Sequence, residues 1–288
     1  ATVAFAVPSF NEGAGIVHTL ESLAAAASAC GLPQTAVHLS DSSATSETVD
    51  SARDWAADRA GVELYVDRSE TRRAQKLALN VIFDRSAADI LIVTNADVIL
   101  PPEAVFTLLW DLTRTPQPDI AVGIAAADPG AKALRYRASA WQLGVVGRFA
   151  SSLPDDARRA DGALWAAWRR FYSTYRYPVG SGSIADDVEL LRHVTRNGIP
   201  VFNSWRARAY KLPAGSFHDF SLQTKRSDHV LEGRKRRPGE LRAALLEGAH
   251  DPLGAACYAL ARAATALEGH RGKGAVTEHW EPGATTKR

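Results

Sequence analysis

Ile90-Leu91-Ile92-Val93-Thr94-Asn95-Ala96-Asp97 is the stretch on which the reading of this chain turns. Four aliphatic residues in a row, three of them β-branched, leave no polar face, so Ile90 to Val93 is predicted to be a strand covered on both sides. The run gives way abruptly to polar groups at Asn95 and Asp97. Strands of that kind belong to parallel sheets, and such sheets bind ligands beyond the C-terminal ends of their strands. Asn95 to Asp97 is therefore the first candidate site.

Working outward, the same alternation recurs. Val3 to Val7 is a second continuous apolar run, followed by a helix over Ile16 to Ala29 with apolar residues at helical spacing. Thr35 to Leu39 reads as a strand and Ser46 to Asp58 as a helix that Ser46 is placed to cap. Val62 to Val66 is a strand and Arg72 to Asp84 a helix. After the deciding strand, Pro101-Pro102 opens a helix to about Arg114, with proline suited to its first turn. Ile120 to Ala125 is a further strand. This rhythm predicts an α/β fold, a Rossmann-like, mostly parallel sheet flanked by helices. The strand ends to inspect are Pro8 to Glu12, Ser40 to Ser43, Asp67 to Ser69 and Asn95 to Asp97.

The second half is less regular. Arg135 to Ala150 reads as a helix, Gly162 to Trp168 as a strand, and Val179 to Ser183 as a Gly-Ser loop. Asp186 to Asn197 is a well-marked helix, acidic at its start, basic at its end and closed by Gly198. A basic stretch runs from Lys225 to Arg242, and from Gly269 onward the composition is that of a loose tail. The expected division is 1–127 for the regular strand-and-helix half, 128–268 for a less regular half of the same domain, and 269–288 for the tail.

Composition narrows the function classes. In 288 residues, 46% are hydrophobic and 23% charged, which excludes a globally disordered chain. Lys and Arg number 34 against 32 acids, a net charge of +2, far too balanced for a protein that coats nucleic acid. Cys30 and Cys257 cannot build a disulfide framework or a cysteine zinc site, so a reducing, cytoplasmic compartment is expected. No apolar run is long enough to span a bilayer, which leaves peripheral contact at the inner face of a membrane. The turn after the first strand, Pro8 to Gly15, lacks the G-x-G-x-x-G fingerprint, and there is no P-loop.

With those motifs excluded, the strand ends resemble glycosyltransferase family 2, the inverting nucleotide-sugar enzymes of the GT-A fold. Val7-Pro8-Ser9-Phe10-Asn11-Glu12 is similar to the family's V-P-x-Y-N-E, and Leu39-Ser40-Asp41-Ser42-Ser43 to its V-D-D-G-S with the first Asp lost. Val93 to Asp97 sits where the family has L-D-A-D, with Asn95 for the first Asp. Asp161 to Ala166 resembles an acceptor-side G-x-L-Y-A strand that includes Trp165. Ala185-Asp186-Asp187-Val188-Glu189-Leu190 resembles the E-D-x-x-L catalytic element, and Gln223 to Ser227 a Q-x-x-R-W element without its Trp. Ala78-Leu79-Asn80 matches the end of G-K-x-x-A-L-N, while Ala74 and Gln75 replace its Gly and Lys and leave Arg73 and Lys76 as the neighbouring bases.

The resemblance implies roles. Pro8, Phe10, Asn11, Glu12, Lys76, Asn95 and Ala96 would line the donor site. Asp41 would read the base, with uridine the expected one; capping its own loop is the structural alternative. Asp97 would hold Mg²⁺ or Mn²⁺ against the diphosphate, with Asn95 offering only a neutral carbonyl. Asp187 would be the general base that deprotonates the acceptor hydroxyl, and Asp186 a capping or second contact. For both acids the plain alternative is charge complementarity at a helix N-terminus. Trp165, Gln223 and Arg226 would touch the acceptor or diphosphate; His218 and His229 more simply serve structure. The acceptor is open among a glycan, a lipid and a small natural product. Arg234 to Arg237 is either a solvated face or a contact for an anionic membrane. The rivals are a degenerate, non-catalytic sugar-nucleotide binder and a sugar-phosphate nucleotidyltransferase.

Overall fold

The structure is a computed structural model that describes residues 1–179, 186–213, 216, 218, 220–221 and 238–271. The chain forms two compact units, Ala1–Ile124 with Pro154–Ala209, and Ala125–Leu153 with Tyr210–Arg288. The first carries an α/β sheet. Its strands are β1 (Val3–Ser9), β2 (Thr35–Asp41), β3 (Val62–Arg68), β4 (Ile90–Thr94), β5 (Val98–Ile99), β6 (Ile120–Ala127), β7 (Leu164–Trp168) and β8 (Val201–Lys211). They form one eight-stranded sheet in the order β3-β2-β1-β4-β7-β6-β8-β5. Strands β3, β2, β1 and β4 are mutually parallel. β7 then pairs antiparallel with both β4 and β6, so β6 again runs with β4.

Every residue of β4 is buried, as an all-aliphatic strand requires. Helices α1 (Ile16–Ala29), α2 (Glu47–Ala57), α3 (Gln75–Arg85) and α4 (Pro102–Leu112) follow β1, β2, β3 and β5. Leu79, Ile82 and Phe83 of α3 pack with Leu91, Val93 and Trp165 in one buried cluster. Each such aliphatic side chain contributes about 1.5–3 kcal/mol on burial. The parallel register brings strand ends into one row, with Ser9 beside Asp41 and Asp41 beside Arg68.

Several boundaries differ from the sequence reading. The helix expected from Arg72 starts at Gln75, because Ala74 is extended at ψ 145° and Arg73 is drawn back to Asp67. Ser46 occupies the cap position of α2, yet its side chain makes no capping bond. β5 and β8 were not anticipated. The acidic-to-basic helix is present as α7 (Asp186–Arg196), after the short α6 (Arg169–Tyr172), and ends at Gly198, whose φ of +64° favours glycine.

In the second unit, α5 (Arg137–Ser151) packs against α8 (Pro238–His250) and α9 (Pro252–Arg271). Trp141 of α5 lies 4.6 Å from Tyr258 of α9, ring to ring. Arg148 pairs with Glu247, and Arg137 with Asp251 at 3.1 Å. Among the described residues no helix is long and apolar enough to cross a membrane.

Candidate active site

At the ends of β1 and β2 the polar groups are satisfied by one another. Asp41 is 1% exposed. Its Oδ1 accepts from the hydroxyls of Ser9 (2.7 Å) and Ser43 (2.6 Å), and its Oδ2 accepts the Ser43 N–H at 3.1 Å. Ser43 Oγ in turn accepts the Asn11 N–H at 2.6 Å, and Asn11 Oδ1 accepts the Ala44 N–H at 3.1 Å. Asn11 itself holds φ +54°, a region where Asn is enriched because its side chain bonds locally. Pro8 is buried, while Phe10 and Glu12 are half-buried. The Arg72 guanidinium lies 4.3 Å over the Phe10 ring, a cation–π contact that the sequence did not suggest.

The loop after β4 is anchored from α1. Thr19 Oγ1 donates to the Ala96 carbonyl at 2.8 Å, and the Leu100 N–H donates to Ser22 Oγ at 3.1 Å. Ala96 is thereby a buried anchor, with Asn95 and Asp97 half-exposed on either side of it. Lys76 is buried in the first turn of α3.

α7 brings the third set of residues. Gln75, the first residue of α3, donates from Nε2 to Asn95 Oδ1 (2.9 Å) and to Asp186 Oδ2 (3.4 Å). One amide thus spans the loop after β4 and the start of α7. Asp186 also lies against Gly162, where a Cβ would stand 3.3 Å from its Oδ1, so the absence of a side chain there lets the carboxylate approach the backbone. Asp161 accepts the Ala163 N–H at 3.0 Å and pairs with Arg159 at 3.4 Å. Arg159 is itself enclosed, reaching Asn203 Oδ1 at 3.0 Å and the carbonyls of Val122 and Gly123, and burial lowers its pKa.

Asp187 sits in this company with backbone N–H groups for donors among the described residues. Burial, then the charges of Asp186 and Asp161, push its carboxyl up to about 7, and the Val188 N–H on Oδ1 at 2.8 Å only partly offsets them. Burial, and after it Asp186, likewise raises the phenol of Tyr177, whose hydroxyl has no hydrogen-bond partner among the described residues. The chain before α7 is pinned by Asn80 of α3, which donates to the Tyr177 carbonyl (2.9 Å) and accepts its N–H (2.8 Å).

Not every expected residue reaches the site. Trp165 is fully buried against Phe83, 6.1 Å between ring centres, which corrects the acceptor contact expected of it: β7 turns this side chain into the core. Gln223, Arg226, His229, Arg234 to Arg237 and most of the Val179 to Ser183 loop lie outside the described residues. Gln75, Arg159 and Asp161 were missed as participants. Gln75 was visible only as a departure from the family's Lys.

A divalent ion has a modest protein donor set here. Among the described residues no three His, Cys, Asp or Glu side chains cluster as a self-sufficient metal cage. Asp97 and the Asn95 amide oxygen are hard oxygen donors, and Asn95 is already held by Gln75. That set fits Mg²⁺ or Mn²⁺ shared with a diphosphate, whose oxygens complete the coordination, better than an ion resident in the free protein.

A mostly parallel sheet with polar strand ends gathered beside an acidic helix N-terminus is the GT-A architecture. The model of glycosyl transferase family 2 matches residues 4–178, more than half of the chain. The chain belongs to that family and is a glycosyltransferase. Among solved structures it is similar to a mannosyltransferase of Pyrobaculum calidifontis in complex with GDP-mannose and Mn²⁺, at 19% identity and a TM-score of 0.58, over 96% of this chain and 77% of that one. It is also similar to glucosyl-3-phosphoglycerate synthase of Mycobacterium tuberculosis in complex with Mn²⁺, UDP-glucose and phosphoglyceric acid, at 17% identity and a TM-score of 0.48, over 80% and 78% of the two chains. At these identities the likeness is one of fold. No curated protein matches the chain in sequence.

Proposed function

We propose that the enzyme transfers a sugar from a nucleoside diphosphate donor to an acceptor hydroxyl with inversion, using Asp187 as the general base. The observation that carries this reading is the pKa of Asp187, pushed up to about 7 by burial and two neighbouring acids. An ordinary carboxylate is too weak a base for a hydroxyl at neutral pH, and a base works best with a pKa near the operating pH. Asp187 takes the acceptor proton while that oxygen attacks the anomeric carbon from the face opposite the diphosphate. The bond to the diphosphate breaks with its electron pair, and the nucleoside diphosphate leaves.

The other residues bind and position. Asp97, with the Asn95 carbonyl, would hold Mg²⁺ or Mn²⁺, and such an ion neutralises charge growing on the diphosphate. Gln75 keeps Asp186 at a fixed distance from Asn95, so the donor loop and the start of α7 move together. Among the described residues Asp41 Oδ2 takes one hydrogen bond, from the Ser43 N–H, and a further lone pair suits a uracil imide N–H, which supports UDP as the donor. Asp187→Asn tests the reading. It preserves shape and cannot accept the proton, so single-turnover transfer falls about 10²–10⁴-fold while donor affinity holds. Undiminished transfer removes Asp187 from the mechanism. Calorimetry with UDP and GDP, each with Mn²⁺, checks the base; preference for GDP overturns the role given to Asp41.

A further inference from the structure

The two last helices are built inside out for a surface. In α8, Leu241, Leu245 and Leu246 are 57%, 68% and 51% exposed; in α9, Leu253 and Leu260 are 51% and 72% exposed. Leu241 and Leu245 are four residues apart and Leu253 and Leu260 seven, so each pair lies on one helix face. Between Pro252 and Ala266 every exposed residue of α9 is apolar, alanine filling the places between the leucines. A solvent-facing helix surface is ordinarily polar, whereas here Arg242 and His250 are the polar exceptions on the described exposed surface and the acids point the other way. Glu247 and Asp251 are turned inward onto Arg148 and Arg137 of α5, and Glu240 is half-buried.

Charge says what kind of surface this face suits. Among the described exposed residues of α8 and α9 the only formally charged one is Arg242, next to Leu241. In the sequence, Arg234-Lys235-Arg236-Arg237 runs directly into Pro238, the first residue of α8. Leucines on an exposed helix face with Arg242 beside them, acids withdrawn and a basic stretch adjoining in sequence suit a helix that lies in the headgroup layer of an anionic membrane. Each leucine exchanges water for acyl chain there, and the basic residues gain the attraction of the lipid phosphates.

We infer that the outward faces of α8 and α9 form a docking surface for an anionic lipid bilayer. The test is co-sedimentation of the full chain with phosphatidylcholine vesicles with and without phosphatidylglycerol, at low and high salt. The wild type pellets with the anionic vesicles at low salt and stays in the supernatant with the neutral ones. Leu245→Ser with Leu260→Ser, both at exposed positions, keeps the melting temperature and weakens binding about tenfold or more, since two insertions are lost. Should that pair melt early, Leu260→Ser alone takes its place, with a smaller but measurable loss. Failure of the wild type to bind anionic vesicles overturns the inference. So does full binding by the serine variants, which would assign attachment to charge alone. Sedimentation velocity covers the remaining occupant: a wild-type dimer that the same substitutions dissolve assigns the face to a second copy and overturns the bilayer.

Discussion

Two aspartates of the first unit stand in opposite surroundings. Asp41, at the end of β2, is buried among donors: two hydroxyls and a backbone N–H converge on its carboxylate. Asp187, at the start of α7, is buried among acids, and the donors to it among the described residues are the backbone N–H groups of Val188 and of Asp187 itself, set against the charges of Asp186 and Asp161. Burial alone therefore does not decide what a carboxylate does. A buried acid supplied with donors acts as a structural clasp; one set among other acids holds its proton until near neutrality and can exchange it. The region around β1 and β2 is built to stay put, and the region around α7 stores a disfavoured charge, which is the usual mark of a reactive site.

The contrast is breakable by substitution. The largest effect is expected at the ion pair beneath the acids. Arg159→Met strands Asp161 and the carbonyls of Val122 and Gly123 in a buried place, costing about 3–5 kcal/mol in a denaturant melt. In protein that still folds, the unpaired Asp161 raises the midpoint of the pH–rate profile above that of the wild type. An unshifted midpoint would mean that Asp161 does not act on Asp187.

Ser43→Ala removes one of the three donors to Asp41, the hydroxyl, and the acceptor of the Asn11 N–H together, leaving the backbone N–H of residue 43 in place. Its expected cost is about 1–3 kcal/mol, the penalty for orphaned buried partners. A neutral result would dissolve the idea of a clasp.

Asp187→Asn should have the reverse sign, and its sign depends on pH. Between the ordinary value of 3.8 and about 7, the folded chain keeps a proton that the unfolded chain has released. Stability thus falls as pH rises through that window, and the loss is complete above it. Removing the charge is expected to stabilise the fold by on the order of 1–3 kcal/mol at pH 8 and hardly at all near pH 4. Thermal melts at both pH values check this; a destabilised variant at pH 8 would make Asp187 a second clasp.

The smallest effect belongs to Gln75. Gln75→Leu cuts its bonds to Asn95 and Asp186, each worth about 0.5–1.5 kcal/mol. We expect kcat to fall by about tenfold with the fold intact, and Gln75→Glu to do worse because it adds an acid beside Asp186. Steady-state kinetics on both variants read this, and equal rates for all three proteins would make the bridge incidental.

How far the sequence foretold this molecule follows from the range of each signal. β1, β4 and the helices between them were legible because continuous aliphatic runs and helical spacing are local patterns. The Asp41–Ser43 turn was legible for the same reason. β8 left a trace that went unread, the alternation of Arg206, Ala207, Arg208 and Ala209, in which the alanines are buried and the arginines exposed. The apolar run of β7 announced a strand but neither its antiparallel direction nor the face on which Trp165 would lie. Gln75, Asn95 and Asp186 meet across 111 residues of chain, and no local pattern encodes such a meeting. Asp186 stands beside Asp187 in the sequence, but only the fold brings the second acid, Asp161, to it.

α3 measures a length. Gln75 touches Asn95 and Asp186 at one end of it, and Asn80 grips the backbone of Tyr177 five residues on. Five helical residues advance about 7.5 Å and turn about 500°. The two contacts are therefore a fixed gauge, set by the helical repeat rather than by either side chain. One residue inserted between them would swing one contact about 100° around the axis while the other stayed in place. The gauge therefore survives substitution between Gln75 and Asn80, and keeping both contacts requires any change of length to fall before Gln75 or after Asn80.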